Sequence, residues 1–352
     1  MSMNTERPSG NLKSITSLTS EQMNQRSSDL DLMSAEHILT TMNDEDQKVA
    51  GAVREAIPQI AKAVDLIVGR FNRGGRLIYV GAGTSGRLAV IDALECPPTF
   101  GTAEEQISFL LAGGPEAMLA AIEGAEDNGE WGADDLRRLA LRSDDCVTAI
   151  SASGRTPYCI GALQYARTVG AATVAISCNN NAAMSSLADA AIEVVTGPEV
   201  LAGSTRLKAG TAQKLVLNML STASMVRTGR VYGNQMVDMQ PTNDKLRQRA
   251  KQIAAGAAGV DEWQAESALQ ESGWSIKKAI VRLMTGASTE EAERLLAEAG
   301  GFLRHAVDLI KTTSSNNSTK ITPSTNAAPT TAHETSASND TDTTNRTNRQ
   351  KA

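Results

Sequence analysis

The sequence predicts an α/β protein: a parallel sheet with helices on both faces, then a small helical module and a disordered tail. Short apolar runs alternate with helical patterns from residue 76 to residue 196, as buried strands joined by helical crossovers do. Two Ser/Thr-Gly loops stand where such a run hands over to a helix. From Thr312 onward the chain is Thr, Ser, Asn and Ala with almost no large apolar side chain, too little to offset the entropy of ordering.

In chain order, residues 1–20 read as a flexible polar arm. From Ser34 to Arg70 the pattern is helical; Asn43-Asp44-Glu45-Asp46 looks like a helix start, and Val49, Val53, Ile57, Ile60, Val64 and Ile67 recur at helical spacing until Gly74-Gly75. Strands are expected at 76–81, 106–112, 145–151, 172–177 and 191–196. Helices are expected from Arg87 to Leu94, where Pro97-Pro98 stops the pattern, and from Pro115 to Asp127. Others follow near 132–141 and at 157–169. Leu207 to Arg227 is apolar on most sides and reads as a buried helix. A further helix begins near Asn243. Residues 260–302 make a small helical appendage whose core draws on Trp263, Ala268, Leu269, Trp274, Ile276, Ile280, Leu283 and Met284. The domain boundaries expected are 1–20, 21–255, 256–311 and 312–352.

Composition narrows the function. A net charge of -6 over 352 residues gives no electrostatic case for nucleic acid or an anionic membrane. No run of 18 apolar residues and no secretion signal is seen, so a cytoplasmic location is the default expectation. The cysteines Cys96, Cys146, Cys159 and Cys178 lack metal-ligand spacing and read as reduced thiols. No histidine lies between His37 and His305, which leaves acid–base chemistry in the sheet region to carboxylates, Lys or Tyr. The cysteine spacing and the missing histidines also weaken any case for a zinc site.

The two loops carry the chemistry. Gly81-Ala82-Gly83-Thr84-Ser85-Gly86-Arg87 follows Leu77-Ile78-Tyr79-Val80, and Ser151-Ala152-Ser153-Gly154-Arg155-Thr156 follows Val147-Thr148-Ala149-Ile150. A helix N-terminus offers unpaired N–H groups and a positive dipole end, and the hydroxyls add donors without charge, so the pair suits a phosphorylated small molecule. Gly81, Gly83 and Gly86 also spell the dinucleotide fingerprint. The acidic residue that should close the next strand is missing, however: that strand ends Leu110-Leu111-Ala112-Gly113-Gly114, and Glu104 and Glu105 precede it. No Gly-Lys-Ser/Thr makes a P-loop.

Glu95, before Cys96-Pro97-Pro98, would face the negative end of its helix, which favours a proton donor if solvent is excluded. Among Glu123, Glu126 and Asp127 the residues alone do not choose, and Glu199 is a further carboxylate able to reach the sheet edge. Thr205, Arg206 and Lys208, opening the buried helix, either close over an anion or belong to an ordinary helix start.

The stretches LIYVGAGTSGRL, ECPPTFG, EGAEDN, ASGRTPY, GPEVLAGSTRLKAGTAQKLVLNMLSTASMVR and VYGNQMVDMQPTN closely resemble the N-acetylmuramic acid 6-phosphate etherase family, within the wider sugar isomerase domain class. The resemblance runs from about residue 18 to 305. It implies a flavodoxin-like sheet, a homodimer, no cofactor, and cleavage of a D-lactyl ether from a phosphorylated amino sugar in peptidoglycan recycling. The family's two catalytic glutamates match Glu95 and Glu126. By analogy Thr84, Ser85, Ser151, Ser153, Arg155, Thr156, Thr205 and Lys208 would surround the substrate. Residues 265–286 resemble a ubiquitin-associated-type module. Leu94 stands where the family usually has Ser, Ser151 where it usually has Ala, and Met23 where it usually has Arg. The alternatives are a phosphosugar isomerase, which would share the loops but not require a lactyl group, and a non-catalytic sugar-phosphate sensor like glucokinase regulatory protein, which shares GSTRLKAGTAQK.

Overall fold

The computed structural model describes residues 18–309; residues 1–17 of the expected N-terminal arm and the expected C-terminal tail lie outside the described residues. The end of that arm is corrected: Leu18 and Ser20 are buried, Thr19–Glu21 form a 3-10 turn, and Asn179 exchanges hydrogen bonds with Ser20. Five strands form one parallel sheet: β1 (Leu77–Gly81), β2 (Ile107–Leu111), β3 (Cys146–Ile150), β4 (Ala172–Ser177) and β5 (Ala190–Glu193). Their order is β2-β1-β3-β4-β5, the flavodoxin-like arrangement, so the chain reverses direction across the sheet between β1 and β3. The register pairs Leu77 with Ile107 on one side and with Cys146 on the other.

Alternate residues of each strand feed opposite cores, the period-2 consequence of the pleat. Leu77, Tyr79, Cys146 and Ile150 join one cluster with α1 (Ala35–Glu55), α2 (Ile57–Phe71), α3 (Gly83–Phe100) and α6 (Lys208–Arg227). Ile78, Val80, Val147 and Ala149 join the other with α4 (Gly129–Arg138) and α5 (Pro157–Val169). A separate cluster gathers α7 (Asp244–Ala258), α8 (Glu262–Glu271), α9 (Ile276–Thr285) and α10 (Thr289–Glu298). It takes in Val237 and Met239, which follow a small antiparallel hairpin of β6 (Val231–Tyr232) and β7 (Gln235–Met236). Residues 303–309 are helical.

Several expectations are corrected. Asn43-Asp44-Glu45-Asp46 is mid-helix: α1 starts after Ser34, whose side chain accepts from His37 N, and Thr41, Glu45, Val49 and Val53 share its buried face. The helix breaks at Ala56, and α2 restarts with Pro58 in its first turn, so Ile57 is exposed. Pro97 and Pro98 lie inside α3, which continues to Phe100.

Residues 115–127 form only a short 3-10 turn, Pro115–Met118, followed by successive turns. Tertiary donors take the carbonyls a helix would have used: Arg87 donates to Ala117 O and Ala120 O, and Tyr158 N to Glu126 O. Trp263, expected in the appendage core, is exposed, two residues (about 200° of helix) from buried Ala265.

Candidate active site

Both loops leave the carboxyl ends of β1 and β3, the adjacent strands at the switch point, where open α/β sheets bind ligands. The first loop is tight. A Cβ on Gly81 would meet Gly86 Cα at 2.8 Å, and one on Gly86 would meet Leu111 Cδ1 at 2.4 Å. Only glycines let the strand and the start of α3 approach this closely. Ala82 caps α3 without a side-chain bond, and Thr84 and Ser85 occupy its first turn.

The second loop is a knot of hydroxyls. Ser151 Oγ lies 2.8 Å from Thr156 Oγ1 and 3.2 Å from Ser153 Oγ. Gly154 N donates to Ser151 Oγ, and Arg155 N to Ser153 Oγ. This is more bonding than a single helix cap requires, and α5 starts directly behind it, at Pro157.

The start of α6 joins the two loops. Ser85 Oγ donates to Gln213 Oε1 at 2.9 Å, while the buried Gln213 Nε2 has no partner among the described residues. A Cβ on Gly210 would lie 3.6 Å from Thr84 Cγ2, and Gly210 N donates to Thr205 O. Ala152, Cys178 and Ala209 form a small apolar contact on the side of the second loop.

Two buried carboxylates hold this helix start. Glu199 accepts from Lys208 N at 3.0 Å and Ala209 N at 2.9 Å, so it caps α6 from nine residues away. Burial raises its proton affinity, and the two N–H groups and the Lys208 charge act against that rise. Lys208, expected to be available to an anion, is itself buried, with its ammonium 2.7 Å from Glu45 Oε2. Burial opposes the charge on Glu45, but hydrogen bonds from Lys208 and Lys48 outweigh it and hold the carboxyl at about 2. Neither Glu45 nor Gln213 was singled out from the sequence. Glu45 precedes Val49 and Val53 at helical spacing, which is the only sign in the sequence of its burial.

The two glutamates stand apart. Glu126 is exposed and lines a cavity of about 320 Å3 with Ala82, Gly83, Arg87 and Ala112, beside the first loop. Glu95 is exposed on α3, ten residues beyond Ser85, so a helical rise of 1.5 Å per residue puts it about 15 Å away along the axis. Among the described residues, nothing encloses Glu95 against solvent.

One turn before Glu95, buried Asp92 accepts from Tyr79 Oη, Asn218 Nδ2 and Ser221 Oγ, fixing α3 against β1 and α6. Burial raises the pKa of Asp92, partly offset by those donors. All four cysteines are buried, and burial pushes each thiol up to about 12. Among the described residues no group of three or more His, Cys, Asp or Glu could hold a metal ion, and no helix is long and apolar enough to cross a membrane.

Comparison with known proteins places this geometry in a family. Residues 59–167 match the glucokinase regulatory protein N-terminal SIS domain, and residues 132–223 match the SIS domain. An N-acetylmuramic acid 6-phosphate etherase of Mycolicibacterium smegmatis is 54% identical over 293 residues, covering 83% of this chain and 98% of the relative. One from Geobacillus thermodenitrificans is 52% identical over 291 residues, covering 83% and 99%. Among solved structures, a phosphoheptose isomerase from Neisseria gonorrhoeae is 15% identical, covers 54% of this chain and 98% of its own, and superposes with a TM-score of 0.43.

Proposed function

The chain belongs to the N-acetylmuramic acid 6-phosphate etherase family, and from that premise we infer how its residues do the chemistry. It is a carbon–oxygen lyase of cell-wall sugar recycling: it cleaves the D-lactyl ether of N-acetylmuramic acid 6-phosphate to N-acetylglucosamine 6-phosphate and D-lactate. The observation that supports a phosphosugar site is the pairing of two hydroxyl-rich loops on adjacent strands at the switch point. In our reading Thr84, Ser85, Ser151, Ser153, Arg155 and Thr156 receive the phosphate, Thr205 borders it, and Lys208 acts from behind through the start of α6.

An ether is hard to hydrolyse directly because an alkoxide leaves poorly. In the open-chain sugar the aldehyde makes the C2 proton acidic. Removing that proton expels lactate from C3, leaving an unsaturated aldehyde; water then adds at C3 and a proton returns to C2. The sequence needs a base at C2 and an acid at the ether oxygen that later activates water. We assign the base to Glu126, beside the first loop, and the acid to Glu95.

The roughly 15 Å of helix between Ser85 and Glu95 is too long for one sugar to span, so we propose that a second copy supplies Glu95. The exposed Ile91 and Leu94, flanking Glu95 on α3, support a homodimer that buries this face. We also propose a cytoplasmic location, and that the helices within 256–311 serve a structural role for this domain.

The test uses two inactive variants. Glu95→Gln and Glu126→Gln should each fold, and each should lose at least about 10²-fold in lactate release, the scale of a lost acid or base. Mixed and allowed to exchange subunits, they should recover about a quarter of parental activity, because half the dimers carry one intact composite site. Full activity of either variant would remove that glutamate from the mechanism; no recovery on mixing would put both glutamates in one chain.

A further inference from the structure

The end of α3 is short of hydrogen bonds by construction. Pro97 and Pro98 have no N–H, so the carbonyls of Ala93 and Leu94 lack the donors that a continuing helix would give them. The final turn nevertheless stays helical to Phe100, within five residues of Glu95.

Groups from later in the chain hold it. Arg230 Nη1 donates to Phe100 O at 3.2 Å and Gly101 O at 3.4 Å. Gln240 N donates to Pro98 O at 3.3 Å. Gly101 adopts φ 61°, and a Cβ there would meet Asp238 O at 2.5 Å, so the 238–240 segment is pressed against the helix end.

The same guanidinium is tied to the C-terminal helices. Arg230 Nη1 is 3.6 Å from Asp238 Oδ2, and that oxygen accepts from Lys277 Nζ of α9 at 2.5 Å. Asp238 stands between Val237 and Met239, both buried in the core of α7–α10. Lys277 is buried and Asp238 largely so, which makes this ion pair far more rigid than an exposed one.

We propose that Arg230, braced by Asp238 and Lys277, is a positioning residue for Glu95: the C-terminal helices hold the end of α3 so that Glu95 is presented in one orientation. The inference rests on the assignment of Glu95 given above. Fraying of the last turn would start at Phe100 and reach Glu95 within about a turn and a half, and a misplacement of about 1 Å can cost on the order of 10²-fold in rate.

The test is made on the full chain. Arg230→Gln should lower kcat for lactate release by about tenfold or more, with KM within about twofold, because the phosphate loops are untouched. Arg230→Lys, which keeps a donor and the charge, should restore most of the rate. Amide exchange at 99–101 should rise in Arg230→Gln while the sheet stays protected. Lys277→Gln should give the same split, less strongly, and serves if Arg230→Gln does not fold. Lys278→Gln, which removes the Lys278–Glu293 pair on the same helix, is the control and should leave kcat unchanged. Unchanged kcat in folded Arg230→Gln and Lys277→Gln, or loss of protection throughout the sheet, would overturn the proposal. A fully active Glu95→Gln would instead overturn the assignment of Glu95, whatever the exchange data show.

Discussion

Ser85 and Ser153 show how much of the site lies in single atoms. The Ser85 hydroxyl is bound to the Gln213 amide, whose buried nitrogen has no partner among the described residues, so a ligand oxygen arriving here would satisfy that donor. Ser153 Oγ accepts from Arg155 N and touches Ser151 Oγ. Ser85→Ala and Ser153→Ala should each weaken binding of the phosphorylated substrate by about 1–3 kcal/mol, the range for a hydrogen bond to a charged group. They should leave the weak binding of unphosphorylated N-acetylmuramic acid unchanged. Calorimetry with both sugars checks this, and equal losses for the two sugars would detach these serines from the phosphate. These hydroxyls were legible in the sequence because three of them crowd a strand end. Gln213 was not, since one amide in a buried helix looks like any other until its neighbour is known.

At the scale of elements, what could be read depended on whether a pattern was local. The helix Pro157–Val169 and the strand Ala172–Ser177 occur at the residues expected, because an apolar period bounded by Pro and Gly specifies them. The turns after Met118 and the length of α3 depart from the local pattern because distant donors decide them: Arg87 and Tyr158 in one case, Arg230 and Gln240 in the other. The charged row 43–46 is not a helix start because Glu45 belongs inside, against Lys208. That pair ties α1 to α6 and has a pH signature. The folded carboxyl, at about 2, lies below its ordinary 4.5, so its stabilisation is complete above about pH 4.5 and is lost as pH falls towards 2. Glu45→Gln should flatten the melting temperature across that window and cost about 3 kcal/mol at neutral pH, since it strands a buried ammonium. Thermal unfolding between pH 2 and 7 checks both; an unchanged acid limb would show that Glu45 is not the titrating group.

At the scale of the molecule, sheet order and the distance along α3 argue together. The 2-1-3-4-5 order brings the two loops side by side and puts Glu126 next to the first. The same helix that begins at the first loop carries Glu95 away from it, which is why a second copy is proposed to supply Glu95. Fold class and the two loops were legible in the sequence; the roles of Glu95 and Glu126 come from family resemblance and stand as a proposal. How the two carboxylates meet is not written in their spacing along one chain. Elimination followed by water addition is checked by running the reaction on N-acetylmuramic acid 6-phosphate in water enriched in heavy oxygen and deuterium. Heavy oxygen is expected on C3 of the sugar product, deuterium on its C2, and lactate with no heavy oxygen and no carbon-bound deuterium. Heavy oxygen in the lactate hydroxyl, or a product with no deuterium at C2, would contradict it.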